Sequence, residues 1–408
     1  MSKKFIQYGA GNIGRSLVGQ LFSKAGYEVV FIDVDEKIID ALNRERKYLI
    51  QVKDEVPQDI WVENVRGVNG NDIEAVVNEI ATADMMATAV GTNALKYIYE
   101  VIAKGIKERK EPINIIICEN LRHMSKIVRE SLTQYLPEGF PFQERVGLVE
   151  TTIGKMVPIM PKEISEKDPL LVWSEAYNLL YAAKDGFIGE IPDIEGLIVK
   201  SNFDAYVDRK LFIHNLGHAI TAYLGYLVDP DNIYISTAIE NEFVRHITEA
   251  AMWESGRALI REYPFEFDED SQREHINDLI CRFGNIHLGD TIYRVGRDVP
   301  RKIGFNERLI GAARLGIKNN IMPKYTAMGV AAAFFFRAVD QNGEMYENDK
   351  VFAEELERHG VNYILSNICG LDSKKHGALM ALIRHAHKLL IGWARGMRQA
   401  KFEDNEEK

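Results

Sequence analysis

The stretch RKLFIHNLGHAITAYLG carries an amine, an amide and imidazoles, side chains that could take part in catalysis. Lys210, Asn215 and His218 would lie at about 0°, 140° and 80° around one predicted helix, which turns by about 100° per residue. Such polar groups on an otherwise apolar helix are costly unless they have partners, so this face could line a cleft. His214 would lie at about 40° on the same face, and the helical period therefore does not choose between the two histidines.

A glycine-rich loop, GAGNIG, occurs near the start of the chain. Gly9, Gly11 and Gly14 have the spacing G-x-G-x-x-G, directly after the predicted strand KFIQYGA and at the start of a predicted helix. In a dinucleotide-binding loop these glycines permit a tight turn, close approach of a pyrophosphate and close helix–strand packing. The pyrophosphate would sit at the helix N-terminus, where free N–H groups favour negative charge. The predicted cofactor contacts of the loop are Gly9, Ala10, Gly11, Asn12, Ile13 and Gly14.

An acidic residue follows at the distance that this kind of loop requires. Asp33 ends the predicted strand EVVFIDVD, nineteen residues after Gly14. Its carboxylate could accept hydrogen bonds from an adenosine ribose diol and would repel a 2′-phosphate, so the pattern favours NAD over NADP. Asp35, two residues further on, is a less suitable candidate for the same contact. The loop and the aspartate together predict an NAD site.

Two further loops follow predicted strands and should lie at the same carboxyl edge of a parallel sheet. Gly91 and Thr92 follow the strand DMMATAV, and Glu119 and Asn120 follow the strand NIIIC. We predict that Gly91, Thr92 and Asn120 contact the cofactor, with Glu119 as an alternative to Asn120. Ordinary strand-to-helix turns are the competing interpretation of both loops.

The pattern of apolar residues predicts the elements that position these side chains. Five runs have the character of buried strands: KFIQYGA, EVVFIDVD, DMMATAVG, NIIICEN and RVGLVET. Strands that are apolar on both faces and alternate with helices indicate a parallel, doubly wound sheet. From about residue 200 the helical period dominates and strand signals almost vanish. The predicted fold class is therefore α/β, with a Rossmann-type doubly wound domain, residues 1–195, followed by a mostly α-helical domain, residues 196–408.

Composition and charge limit the function classes. A chain of 408 residues is long for one core, which predicts two domains. The net charge of −10 argues against a nucleic-acid partner, because phosphate binding there needs a cationic surface. The three cysteines are too far apart to predict a disulfide framework or a zinc site, and no apolar run approaches the roughly 20 residues of a membrane span. Too few apolar residues precede the glycines for a signal peptide, so the sequence predicts a cytoplasmic enzyme or binding protein.

The spacing K-x4-N-x2-H on a helix, after the motif YGAGNIGR, resembles the polyol-specific long-chain dehydrogenase/reductase family. The resemblance extends over nearly the whole chain, through ICEN, RKLFIHNLGHAITAYLG and RVGRDVPRKIGFNERL. It implies metal-free hydride transfer between a nicotinamide and a secondary alcohol or ketone. By position, it implies that Lys210 is the general base for oxidation and the acid for reduction, which requires a lowered pKa. It also implies that Asn215 donates to the developing alkoxide and that His218 orients the substrate hydroxyls.

Glu150 falls where the resemblance places a second amide of the oxyanion site. An ionised carboxylate cannot donate to an oxyanion, so this position departs from the family pattern. Gly154 and Lys155 also depart from it, because they stand in place of an Asp-Arg pair. We predict instead that Glu150 helps to relay a proton from Lys210.

Four cations lie within nine residues of a net acidic chain: Arg294, Arg297, Arg301 and Lys302. The resemblance implies that Arg294 and Lys302 contact polyol oxygens. Because a phosphate needs guanidinium or ammonium partners, the cluster predicts a sugar phosphate substrate, with Arg308 as a further candidate contact. A solvated basic stretch that pairs with Asp298 and neighbouring acids is the competing interpretation.

The expected reaction is the NAD-dependent interconversion of D-mannitol 1-phosphate and D-fructose 6-phosphate. Free mannitol and fructose, or a hexuronate such as fructuronate or tagaturonate, are alternative substrates, since a uronate also needs cations. A non-catalytic NAD sensor is a third interpretation, which the Lys/Asn/His helix argues against because a sensor needs no proton-transfer group. The sequence leaves the oligomeric state open between a monomer and a small homo-oligomer.

Overall fold

The structure, a computed structural model, describes residues 3–119, 121–158 and 160–406 of the chain. Asn120, one of the predicted cofactor contacts, lies outside these residues. The chain divides into two compact units, with the boundary between Val207 and Asp208. The first unit combines strands and helices, and the second is mostly helical.

Strands form the framework of the first unit. Within its described residues they are β1 (Lys4–Tyr8), β2 (Glu28–Asp33), β3 (Lys47–Val52), β4 (Gln58–Glu63), β5 (Val65–Asn69), β6 (Met85–Thr88), β7 (Ile113–Ile117), β8 (Val146–Ile153), β9 (Val172–Ser174), β10 (Leu180–Ala183) and β11 (Leu197–Lys200). Eight of them form one sheet in the order β11-β10-β8-β7-β6-β1-β2-β5, and β4-β3-β9 form a separate sheet. From β5 to β8 all neighbours are parallel, whereas β10 runs antiparallel to β8.

The strand order reverses at β1, which lies between β2 and β6. The chain winds outward through β2 and β5 and then returns to place β6 on the other side of β1. In open α/β sheets such a reversal opens a crevice at the carboxyl ends of the strands, where ligands bind. The predicted Rossmann-type parallel sheet is confirmed.

Helices cover both faces of the large sheet. They are α1 (Gln20–Lys24), α2 (Glu36–Glu45), α3 (Ile73–Thr82), α4 (Tyr99–Glu108), α5 (Met124–Thr133), α6 (Phe142–Arg145) and α7 (Lys162–Lys167), with a π-helical turn at Gly14–Gly19 and 3₁₀ turns at Leu95–Tyr97 and Lys184–Gly186. On one face Phe5 stacks on Phe22, with ring centroids 3.6 Å apart. On the other face Ile6 lies in a core with Ile80 and Ile102. Successive residues of β1 point to opposite faces, so these two cores make the sheet doubly wound.

The second unit is mostly helical, as predicted. Its helices are α8 (Phe203–Arg209, which spans the boundary), α9 (Asn215–Val228), α10 (Ile235–Glu240), α11 (Glu242–Glu262), α12 (Glu269–Phe283), α13 (Ile292–Gly296), α14 (Val299–Lys302), α15 (Ile310–Lys318), α16 (Lys324–Ala333), α17 (Glu347–Tyr363) and α18 (Gly377–Glu406), with π-helical turns at Lys210–His214 and Ile364–Ile368 and a 3₁₀ turn at Ile286–Leu288. In its described residues, β pairing is limited to two isolated bridges. None of the described helices of either unit is long and apolar enough to cross a bilayer.

Helix α9 is anchored firmly in the core of the second unit. Leu216, Ile220 and Leu224 have no exposed surface. Tyr223 is also fully buried, and its hydroxyl donates to the Gly296 carbonyl at 3.0 Å. Dense burial and a satisfied hydroxyl fix the helix in one position. The residues that precede α9 and lie on its first turns are therefore held by a rigid element.

Candidate active site

The glycine loop has the geometry of a dinucleotide cradle. Gly9 has a φ of +97°, and a Cβ there would lie 2.5 Å from the carbonyl oxygen of Ala89. A Cβ at Gly14 would lie 2.2 Å from the carbonyl oxygen of Gly9. At Gly11 a Cβ would meet no atom within 4 Å, so open space faces the loop backbone there. These three environments match the separate roles of the glycines in such loops.

Asp33 lies beside this loop, at the carboxyl end of β2. Its Oδ2 accepts a hydrogen bond from the Ala10 backbone N–H at 2.7 Å, and its Oδ1 accepts one from Asp35 at 3.1 Å. Asp35 instead caps helix α2, because its Oδ1 accepts from the Lys37 backbone at 3.0 Å. The structure therefore brings Asp33 to the glycine loop and gives Asp35 a separate, helix-capping role.

The loops after β6 and β7 are joined by a buried carboxylate. Gly91 adopts a φ of +81°, and Thr92 after it is exposed. Glu119 accepts a hydrogen bond from the Thr88 hydroxyl at 2.7 Å and from the Val90 backbone at 3.0 Å. Burial raises the pKa of Glu119, and these donors oppose that rise. Glu119 thus fixes the shape of the loop that carries Gly91 and Thr92.

Glu150 lies on β8 and is half-buried. Its Oε1 accepts a hydrogen bond from the Ser125 backbone at 3.1 Å and a second, short one from the Ser125 hydroxyl. It lines a cavity of about 440 Å³ in the first unit, together with His123, Arg129 and Asp204. Two donors from Ser125 therefore hold Oε1 of this carboxyl group in place.

Lys210 begins the π-helical turn that precedes α9. It is largely buried, and its amine has no hydrogen-bond or ion-pair partner among the residues the structure describes. Burial, and next the charge of Arg308, lower the pKa of Lys210 to about 8. An unpaired amine with this pKa can hold or release a proton near neutral pH, which is what acid–base catalysis requires.

Asn215 and His214 follow on the same stretch and differ in their surroundings. The Asn215 amide is partly exposed and makes no hydrogen bond within the described part of the chain, so its N–H groups are available. His214 is buried, and its ring centroid lies 5.9 Å from that of Phe283. Burial, and then the charge of Arg282, hold the pKa of His214 well below its usual value. His214 is therefore a neutral packing residue.

His218 faces a carboxylate that the sequence analysis did not predict. Its Nε2 lies 3.0 Å from Oδ2 of Asp290. Oδ1 of the same aspartate accepts a hydrogen bond from Nε of Arg294 at 2.7 Å. Arg294 follows Asp290 by four positions, the spacing at which opposite charges often pair, and this spacing is the signal in the sequence that could have identified Asp290.

Lys302 and Arg308 are two further cations of the second unit, and the charge of Arg308 acts on both Lys210 and Lys302. Lys302 is buried, and its amine donates to the Val295 carbonyl at 2.7 Å and to the Arg297 carbonyl. Burial, followed by the charge of Arg308, lowers the pKa of Lys302 to about 7. Arg308 is 15% exposed and contacts the Glu307 carboxylate at 3.3 and 3.4 Å. We call Lys210, Lys302 and Arg308 the cationic cluster.

The other two predicted cations are exposed. Arg301 donates from Nε to Asp298, the partner that the competing interpretation names. The guanidinium of Arg297 lies 5.7 and 5.6 Å from the ring centroids of Tyr293 and Tyr346. Within the described residues, no group of three or more His, Cys, Asp or Glu side chains is arranged to hold a metal ion.

Comparison with known proteins identifies the family. The mannitol dehydrogenase Rossmann domain matches residues 3–196, and the mannitol dehydrogenase C-terminal domain matches residues 202–366. A mannitol-1-phosphate 5-dehydrogenase from Brevibacillus brevis is 35% identical over 395 residues, which cover 95% of this chain and 98% of that protein. Two solved structures share the fold. A substrate-free D-sorbitol dehydrogenase has a TM-score of 0.78 and 15% sequence identity, and the match covers 97% of this chain and 94% of that chain. The Pseudomonas fluorescens mannitol 2-dehydrogenase, in a ternary complex with NAD and D-mannitol, has a TM-score of 0.73 and 13% identity, and the match covers 99% of this chain and 95% of that chain. The two domain matches and the similarity along nearly the whole chain show that this protein belongs to the mannitol dehydrogenase family.

Proposed function

We propose that this protein is an NAD-dependent polyol phosphate dehydrogenase that interconverts D-mannitol 1-phosphate and D-fructose 6-phosphate. The observation that carries the proposal is the cationic cluster, in which the charge of Arg308 acts on both the unpaired, largely buried Lys210 and the buried Lys302. The relative that is 35% identical over nearly the whole chain supports a phosphorylated substrate, since it is a mannitol-1-phosphate 5-dehydrogenase.

The first unit has the features that an NAD site requires. The open space at Gly11 would let a pyrophosphate approach the loop backbone, and Gly9 and Gly14 permit the turn that creates this space. Asp33, at the end of β2 and bonded to the loop through Ala10, would accept hydrogen bonds from a ribose diol. Gly91 and Thr92 lie on the neighbouring loop that Glu119 holds in shape. Bound NAD would supply the hydride acceptor of the reaction.

The second unit supplies the proton chemistry. In alcohol oxidation the neutral Lys210 amine accepts the hydroxyl proton, and in ketone reduction the ammonium form returns it to the carbonyl oxygen. A pKa of about 8 keeps both forms populated near neutral pH. Asn215 donates an amide N–H to the same oxygen while negative charge develops on it. His218 binds and orients a neighbouring substrate hydroxyl.

The cationic cluster accounts for an anionic substrate. Arg308 lowers the pKa of both Lys210 and Lys302, so without an anion its charge repels each of the two lysines. A phosphate would relieve this repulsion and accept charge-assisted hydrogen bonds. Because Lys302 already donates to two carbonyls, we assign the main phosphate contact to Arg308. Contacts of Arg294 and Arg297 with the substrate stay predictions, and so does that of Arg301, although its exposure and its bond to Asp298 favour the competing interpretation of a solvated basic stretch.

A substrate panel tests the proposed function. A hexuronate carboxylate would also satisfy the cationic cluster, so the panel uses NADH with fructose 6-phosphate, fructose, fructuronate and tagaturonate. We expect the highest kcat/KM for fructose 6-phosphate, by about 100-fold or more over fructose, because the buried charge contact is lost with fructose. A higher kcat/KM for a uronate, or an equal value for fructose, would contradict the phosphate assignment. NADH binding without turnover of any ketone would favour a sensor.

Coenzyme choice should depend on Asp33. In Asp33→Asn an amide oxygen can still accept from Ala10, but the charge that repels a 2′-phosphate is gone. We expect KM for NAD⁺ to rise about 10-fold and KM for NADP⁺ to fall, as measured by steady-state kinetics with both coenzymes. Asp35→Asn is the matched control, because asparagine caps a helix as well as aspartate does. An unchanged preference in Asp33→Asn would assign ribose selection to another group.

Three expectations from the sequence stay predictions. A proton-relay role for Glu150 is one, although its bonds to Ser125 hold it as an acceptor. A cytoplasmic location and an oligomeric state between a monomer and a small homo-oligomer are the others.

A further inference from the structure

Three side chains of the second unit, those of His218, Asp290 and Arg294, form a chain of contacts. His218 Nε2 lies 3.0 Å from Asp290 Oδ2, and Asp290 Oδ1 accepts from Arg294 Nε at 2.7 Å. A terminal nitrogen of the same guanidinium also contacts Oδ1. The Asp290 side chain is 7% exposed, so these contacts take place away from bulk solvent.

The contact between His218 and Asp290 joins two buried polar atoms. His218 Nε2 and Asp290 Oδ2 are both buried and lie 3.0 Å apart, and neither atom makes a well-aligned hydrogen bond with any described residue. A buried polar atom without a partner is costly, so the two atoms depend on each other. Burial alone would raise the pKa of Asp290, but His218 and Arg294 outweigh it and hold that pKa below its usual value. The carboxylate is therefore ionised, and an ionised oxygen 3.0 Å from Nε2 favours a proton on that nitrogen.

The plane of the His218 ring is fixed as well. Phe283 stacks on it with ring centroids 4.8 Å apart and an interplanar angle of 7°. The imidazole keeps 16% of its surface accessible while Nε2 is covered by Asp290. Because Nε2 faces Asp290 and the ring stacks on Phe283, Nδ1 is the ring nitrogen that can bind a ligand.

We propose that Asp290 is a positioning residue that holds His218 in the Nε2–H tautomer, with Nδ1 as the acceptor for a substrate hydroxyl, and that Arg294 acts through Asp290. The substrate part of this inference rests on the proposed function. Arg294 decides which carboxylate oxygen faces the histidine, because its guanidinium occupies Oδ1. The fixed tautomer makes His218 accept a hydrogen bond from the substrate, whereas the other tautomer would donate one.

The replacement Asp290→Asn should reverse the tautomer. Arg294 needs an acceptor, so the amide oxygen will face the guanidinium and the amide nitrogen will face His218. An amide nitrogen only donates, so Nε2 must then accept and the ring proton must move to Nδ1. In the double variant Asp290→Asn/Arg294→Met the amide is free to turn its oxygen toward His218, and the Nε2–H tautomer should return.

Nitrogen-15 NMR of histidine-labelled full-length enzyme at alkaline pH measures the tautomer directly. The His218 resonances are assigned by their loss in His218→Gln, and circular dichroism of each variant checks that it is folded. We expect Nε2–H in the wild type, Nδ1–H in Asp290→Asn and Nε2–H again in the double variant. A wild-type imidazolium or Nδ1–H tautomer, or an unchanged tautomer in Asp290→Asn, would overturn the inference.

Kinetics test the substrate part separately. Asp290→Asn should lower kcat/KM for fructose 6-phosphate about 10- to 100-fold, as loss of a residue that orients a site histidine does elsewhere. Combining it with His218→Ala should cost no more than His218→Ala alone, because Asp290 acts only through His218. Fully additive losses would overturn this part. If the tautomer reverses as expected but the wild type turns over no polyol or ketose, the proposed function fails and the positioning of His218 stands.

Discussion

Replacing Lys210 with methionine should lower kcat in both directions by about 10²- to 10⁴-fold, the usual contribution of a positioned acid or base. Methionine has a similar length but no titratable group, so the packing around α9 should change little. Steady-state kinetics with mannitol 1-phosphate and with fructose 6-phosphate measure the loss. NADH fluorescence titration should give an unchanged Kd, because the proposed coenzyme contacts lie in the first unit.

The same lysine sets the expected pH dependence. Burial and the charge of Arg308 lower its pKa to about 8, so the neutral amine disappears as the pH falls below that value. Oxidation uses the neutral amine, and its kcat/KM should rise about tenfold per pH unit up to pH of about 8 and then level off. Reduction uses the ammonium form, and its kcat/KM should be constant at low pH and fall above about 8.

Lys318→Met is the matched control for both measurements. Lys318 is 66% exposed and pairs with Glu262 at 2.6 Å on the surface of the second unit. This variant should keep the kcat of the wild type and the pH dependence of kcat/KM in both directions, because surface ion pairs contribute little free energy. If kcat/KM of Lys210→Met still changed with pH near pH 8, another group would transfer the proton.

The glycine loop could be predicted from the sequence because its constraints are local. Gly9 needs a positive φ and Gly14 a close approach to the Gly9 carbonyl, and both requirements arise within six residues of the chain. Asp33 follows at a distance set by the length of one helix and one strand. The pairing of strands in the small sheet could not be predicted from the sequence, because it depends on residues that are distant in the chain. In β3 the alternation of buried Tyr48, Ile50 and Val52 is a valid strand signal, but its partners lie elsewhere in the sequence.

The Lys/Asn/His helix shows where the helical period stops being informative. The period assigns both histidines to one face, but Lys210–His214 is a π-helical turn, with more residues per turn than the period assumes. The two histidines then differ in their long-range neighbours. His214 is buried beside Phe283, whereas His218 also meets Asp290, more than seventy residues away in the chain. No local pattern contains that difference.

The sequence of residues 294–302 likewise predicts a concentration of positive charge but not the partners of each cation. Arg294 pairs with Asp290 and Arg301 with Asp298, each within four residues of sequence. Lys302 donates to two carbonyls of the preceding turn. Which cation stays available for an anion depends on how these short helices fold over one another. The structure favours Arg308, the largely buried arginine whose contacts with Glu307 are long, at 3.3 and 3.4 Å.

Replacing Arg308 with glutamine should therefore lower kcat/KM for fructose 6-phosphate by about 10²- to 10³-fold, as truncation of one partner in a buried charge pair does. The loss with fructose should be much smaller, since fructose has no phosphate. Arg301→Gln is the matched comparison, because Arg301 is 51% exposed and already bonded to Asp298. Arg301→Gln should change kcat/KM by no more than about threefold for either fructose 6-phosphate or fructose, because exposed ion pairs contribute little free energy.

The Arg308→Gln variant has a second consequence that does not depend on the phosphate. Arg308 lowers the pKa of Lys210, so its removal must raise that pKa. The pH at which kcat/KM levels off in oxidation, and the pH above which it falls in reduction, should both rise, with fructose as well as with fructose 6-phosphate. Arg301→Gln should leave both pH values unchanged. Equal losses of kcat/KM on the two ketones, with both pH values raised, would confirm Arg308 as a neighbour of Lys210 and assign phosphate binding to another cation. Unequal losses with both pH values raised would show that one guanidinium both selects the phosphorylated substrate and sets the acidity of the proton-transfer group.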